Sequence, residues 1–120
     1  MAGGLVAIAV LDTGAIGVAD ASGSCELRPS LPPMAYDALR IGRMVITAPN
    51  VSPAPQCFVY LDEARPENLI DSSADARSDI SDSASPVIVS GGAPVIFRFV
   101  QVPPGGVCTA RINGDVARRS

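Results

Sequence analysis

A chain of 120 residues with 48% apolar but only 4% aromatic side chains holds one domain's worth of sequence, with a core built from Val, Ile, Leu and Ala. Eleven Pro and eleven Gly exclude long helices, because Pro removes a helical donor and Gly is costly to order. A net charge of −3 with no His and no Lys argues against a nucleic-acid partner, which needs a basic stripe, and removes the commonest general base of enzymes.

The apolar run Leu5–Leu11 (LVAIAVL) predicts a strand buried on both faces. Asp12-Thr13-Gly14 predicts a turn, with Ala15–Ala19 continuing the sheet. Ala21-Ser22-Gly23 predicts a second turn, ahead of a short strand at Ser24–Arg28. The first run is too short to span a bilayer, and no Lys or Arg precedes it as a secretory signal requires. The expectation is a non-secreted protein with no membrane partner.

Pro29, Pro32 and Pro33 enforce an extended loop, and Met34–Leu39 has room for one helical turn. Arg40–Ala48 predicts a strand with apolar residues on both faces. In Gln56–Asp62, Cys57, Val59 and Leu61 point one way, and Gln56, Phe58, Tyr60 and Asp62 the other. Residues 63–85 carry no strand signal and predict a long acidic Ser/Asp loop, with a weak helical signal at Ala74–Ser78. Pro86–Ser90, Pro94–Gln101 and Val107–Asn113 close the chain as strands. Gly91-Gly92 and Pro103-Pro104-Gly105-Gly106 supply turns that predict a meander of consecutive hairpins. The fold class expected is all-β: a single-domain antiparallel β-sandwich or jelly roll of seven or eight short strands. The single domain spans 1–120, with N-terminal strands or an arm at 1–30 and a tail at 115–120.

Chemistry-bearing residues are few. Cys25, Cys57 and Cys108 alternate in phase with apolar neighbours, as buried thiols in a reducing compartment would, and a Cys57–Cys108 bridge is the alternative. No C-x-x-C pair and no His completes a metal site. Seven of the twelve acids lie between Asp62 and Asp82. Asp62 and Glu63 invite comparison with paired glycosidase carboxylates, but they sit in a polar loop rather than in an enclosed site. Asp71, Asp75, Asp79 and Asp82 suggest calcium by ligand type, yet their spacing lacks the alternation and central Gly of an EF-hand. No catalytic, cofactor or metal residue is therefore assigned, and the chain is not expected to be an enzyme. Candidate interface residues are Phe58 and Tyr60 on the outer face of their strand, Arg98 and Arg111 within apolar strands, and Arg118 and Arg119 in the tail.

From about Leu31 to Gly114 the chain resembles a group of small virion proteins encoded by tailed phages of actinobacteria. The resemblance rests on motif order. A Pro-rich lead (LPPMAYDALRIGRMVITA) precedes a strand with a Tyr-containing end (VYLDEARPENLIDSS). A polar Asp-Ser segment follows (SDISDSASPVIV), then an apolar strand (PVIFRFV) and a Pro-Gly hairpin into the last strand (PPGGVCTARINGD). Tyr36 and Phe99 stand where family members often carry Trp. The all-Arg, Ala/Gly/Pro-rich composition agrees with a GC-rich host. The resemblance implies an accessory structural protein of the particle, made in the host cytoplasm, either decorating the capsid or serving as a minor tail component. Its partners would be other virion proteins, such as the major capsid protein or tail proteins, and no catalytic residues carry over. Apolar residues on both faces of two strands add the expectation of a homo-oligomer. The alternative is a carbohydrate-binding β-sandwich module, which has only Tyr36 and Tyr60 to offer as stacking platforms.

Overall fold

Val95, Phe97 and Phe99 alternate with Ile96, Arg98 and Val100 along one six-residue strand, and this two-residue period is repeated through the molecule. The computed structural model describes residues 4–120, except for the side chains of residues 83–85. Eight strands follow in chain order: β1 (Leu5–Val18), β2 (Cys25–Leu27), β3 (Ala38–Thr47), β4 (Gln56–Leu61), β5 (Leu69–Ser73), β6 (Ser78–Ser90), β7 (Val95–Val100) and β8 (Val107–Arg119). Among the described residues one 3-10 turn occurs, at Pro66–Asn68.

The strands form two sheets, ordered β1-β8-β3-β6 and β2-β7-β4-β5. Every pairing is antiparallel. Strands β1 and β8, β2 and β7, β3 and β6, and β4 and β5 all pair, nested about the β4–β5 connection. The chain is thus one long hairpin folded over itself, and the extra pairings β3–β8 and β4–β7 close the two sheets. This is the arrangement of an eight-stranded jelly roll, the expected fold class.

The core lies between the sheets. Phe97 and Phe99 from β7 are fully buried, as are Leu39 and Ile41 from β3 and Cys108, Ile112 and Val116 from β8. Each large apolar side chain so placed stabilises the fold by about 1.5–3 kcal/mol. The inward set of β3 changes from odd to even numbers between Ile41 and Met44. A bulge there gives β3 one more residue than its partner β8. The β1–β2 turn is fixed by Asp20, whose Oδ1 accepts hydrogen bonds from the backbone N–H groups of Ser22 (2.9 Å) and Ser24 (3.1 Å). Gly23 takes φ +82° in that turn and packs on the Val102 carbonyl, which no side chain would tolerate.

Several expectations need correction. Asp12-Thr13-Gly14 is not a turn: β1 runs unbroken through it, because its partner β8 supplies polar side chains that match Asp12. Nor is β1 buried on both faces. It is a sheet edge, with Val10 83% exposed. Residues 63–85 are not one loop, since β5 and the first half of β6 lie within them. Their Ser and Asp residues occupy sheet edges, where one face stays wet. Neither Met34–Leu39 nor Ala74–Ser78 is helical. The last strands are no meander, because β6 and β8 lie in one sheet and β7 in the other. The turns between them therefore cross from layer to layer. The segment 115–120 is not a loose tail, as β8 continues to Arg119 and pairs with Leu5.

Candidate docking surfaces

The outer face of the β1-β8-β3-β6 sheet is built in cross-strand rows. Asp12, Asn113, Arg43 and Asp82 form one row, and Val10, Asp115, Arg40 and Ile88 form another. Opposite charges meet along and between these rows. Arg111 donates through Nε to Asp12 Oδ1 at 2.7 Å, and Asn113 donates to the same oxygen at 2.8 Å. Arg40 Nε reaches Asp115 Oδ1 at 2.6 Å, and Arg43 lies 3.5 Å from Asp82. The Arg111 hydrogen bond, acting against the opposing effect of burial and aided by the Arg111 charge and by Asn113, holds the Asp12 carboxyl below its ordinary value. The same bond pushes the Arg111 guanidinium upward. The centre of the face is therefore a neutral lattice of ion pairs.

Apolar side chains flank that lattice on both sides. On β1, Val10, Ile16 and Val18 are 83%, 72% and 61% exposed, and on β6, Ile80 and Ile88 are half exposed or more. Gly14 leaves a depression beside Ile16, bounded by Val45, Thr109 and Arg111. These exposed Val and Ile side chains are the part of the face whose burial against a partner is favourable.

The opposite face, on the other sheet, carries a row of Glu26, Arg98, Phe58 and Ser72. Phe58 and Tyr60 are half-buried there, and Ile96 beside Tyr60 is fully covered. Arg98 is exposed and has no ion pair within 4.0 Å among the described residues. The six residues singled out from the sequence are thus not one site. Phe58, Tyr60 and Arg98 share one face, Arg111 belongs to the other, and Arg118 and Arg119 sit at the far end of β8. The Arg119 backbone N–H donates to Asp37 Oδ2 at 2.7 Å, which ties that end down. Sequence reading passed over Val10, Ile16, Ile80 and Ile88. A strand apolar on both faces is equally the mark of a buried strand and of an edge with a sticky outer face.

Between β5 and β6 the sheet edges part and leave a narrow cleft of about 20 Å³. Its floor is Met44, Ile46, Cys57, Val59 and Phe97, and its rim includes Asp71, Asp79 and Ser81. Burial pushes the Cys57 thiol up to about 12, with the nearby Cys108 and carboxylates adding to it. Cys108 is likewise raised to about 12, chiefly by burial. All three cysteines are buried free thiols, so the bridged alternative is not adopted. The four acids considered for calcium are dispersed: Asp71 is in β5, Asp79 and Asp82 are in β6, and Asp75 is held by Arg77 at 2.8 and 2.6 Å. No group of three or more metal-ligating side chains occurs among the described residues. Asp62 and Glu63 are exposed at the end of β4. No helix of the described residues is long and apolar enough to cross a membrane. Comparison of the chain with protein-family models, curated proteins and solved structures returns no match.

Proposed function

We propose that this chain is a non-enzymatic structural protein of a tailed phage particle, docked on the capsid surface or built into the tail, and acting as a homo-oligomer. The observation that carries the reading is the outer face of the β1-β8-β3-β6 sheet, where a neutral ion-pair lattice is bordered by exposed Val and Ile. Pairing within one chain offsets part of the hydration that these half-exposed charges lose when covered, and the flanking Val and Ile supply the favourable burial. A jelly roll held by short turns also loses little entropy on docking, and repeated copies on a symmetric particle turn a modest contact into strong avidity. Jelly rolls serve viral capsids and lectins alike, so fold supports this reading only alongside the surface. The partly covered Tyr36 and Tyr60 offer a sugar little stacking area.

The test is immunogold electron microscopy of particles purified from an infected actinobacterial culture, with an antibody raised against the purified chain. Gold on heads or along tails is the expected result. Bare particles, from cells whose lysate contains the chain in quantity, would overturn the reading.

A further inference from the structure

Sheet edges are where a β protein meets other chains, because each leaves a row of main-chain N–H and C=O groups without partners. Three of the four edges of this jelly roll are blunted. Strand β2 has three residues, β5 has five with Asp71 among them, and β6 carries Asp79, Asp82 and Pro86. Strand β1 is different. It has fourteen residues and is regular from Ala9 onward, past a bulge at Ile8; it contains no Pro and no basic residue, and its one charge is already matched by Arg111. The segment Ser30–Met34 lies alongside Val10–Thr13 across an open groove, yet among the described residues it makes no main-chain hydrogen bond to β1.

We propose that β1 is a self-pairing edge, and that two copies of this chain join there antiparallel, about a two-fold axis at Thr13, fusing two four-stranded sheets into one of eight. The register follows from the side chains. Outer-face residues must meet outer-face residues, so the two numbers in each pair add to an even sum. A two-fold at Asp12 would set two carboxylates face to face. A two-fold at Leu11 would set Asp12 against Val10. At Thr13, Val10 meets Ile16 of the second copy, and Asp12 meets Gly14, each twice.

Gly14 makes this register favourable in charge as well as shape. The Arg111 Cγ lies 3.5 Å from where a Gly14 Cβ would stand, so the Arg111 side chain runs over the glycine. Its guanidinium then faces Asp12 of the second copy while keeping Asp12 of its own. Pairing from Ala9 to Gly17, clear of the bulge at Ile8, gives an edge of roughly 30 Å at the usual strand rise. It forms on the order of ten main-chain hydrogen bonds, as many as a standard protein–protein interface carries. The inference rests on the self-association part of the proposed function and not on the chain's place in a particle.

The test uses the full chain. Sedimentation velocity over a range of concentrations is expected to show a dimer. Val10→Lys with Ile16→Lys opposes like charges twice and is expected to raise the dissociation constant at least tenfold. Val10→Glu with Ile16→Lys opposes unlike charges and is expected to recover the dimer. Both positions are exposed, and circular dichroism checks that the variants stay folded. Val10→Cys with Ile16→Cys is expected to give, on mild oxidation, a dimer whose cross-link joins position 10 of one copy to 16 of the other. A wild-type chain that stays monomeric at every concentration overturns both the edge and the self-association reading. A dimer indifferent to the paired lysines, and without the 10–16 cross-link, leaves self-association standing and overturns the edge.

Discussion

Replacing Phe97 with Ala removes the side chain at the middle of the inward row of β7, where it is fully buried. Truncations of this kind cost about 3–5 kcal/mol, from lost transfer energy and the residual cavity together. The new void would adjoin the cleft lined by Met44, Ile46, Cys57 and Val59, so the walls have room to relax and the lower half of that range is expected. A domain of this size has a total stability of roughly 6–18 kcal/mol, so the variant should fold. Its melting temperature should fall by about 10–20 °C, given about 3–6 °C per kcal/mol. Urea unfolding followed by far-ultraviolet circular dichroism is the assay, with a lower midpoint and an unchanged slope expected. Arg98→Ala, next in sequence but on the exposed outer face, should stay within about 0.5 kcal/mol of wild type. A Phe97→Ala variant as stable as Arg98→Ala would refute the assignment of inward and outward faces, and the two-layer packing with it.

Three further outcomes can be measured. Gly114→Ala should destabilise by about 1–3 kcal/mol, because the added Cβ would collide with the Arg40 carbonyl at the β3–β8 bulge, whereas Gly42→Ala on the same bulge meets nothing within 4 Å and should be nearly neutral in the same urea assay. Asp12, Asp20 and Asp75 have carboxyls held below the ordinary value of 3.8 by hydrogen bonds, from Arg111, from Ser22 and Ser24, and from Arg77 respectively. Their stabilisation is therefore complete above 3.8 and is lost as pH falls through the lowered values, and Asp12→Asn should flatten the acid limb of midpoint against pH. The three thiols should resist Ellman's reagent at pH 8 in the native protein and react together on unfolding, since burial raises them and shields them.

What the residues disclosed and what they hid divides along physical lines. The strand at Gln56–Leu61 was legible because one face is core and the other partly covered, so its side chains alternate cleanly. The strands at Leu69–Ser73 and Ser78–Ser90 were hidden because they are edges. Their Ser and Asp residues face the wet mouth of the sandwich, and the same letters spell a loop. The Asp12-Thr13-Gly14 signal misled because Asp12 is matched by Arg111 and Asn113, residues about a hundred positions away. Turn residues at Gly91-Gly92 and Pro103–Gly106 mark where the chain reverses, but local chemistry does not say which strand it meets next. In a jelly roll most partners are distant in sequence, so β7 pairs with β2 and β4 rather than with its neighbours. The surface was hidden for the same reason: Phe58 and Arg111 look alike as candidates until the sheets are assigned, and then they face opposite ways.

The proposal that this molecule works by being stacked against other protein copies is tested most directly by counting it. Quantitative mass spectrometry of gradient-purified particles, with isotope-labelled peptides of this chain and of the major capsid protein as standards, gives its copy number per particle. A fixed, many-fold stoichiometry that survives repeated banding is the predicted result. A trace amount that falls with each round of purification would contradict it.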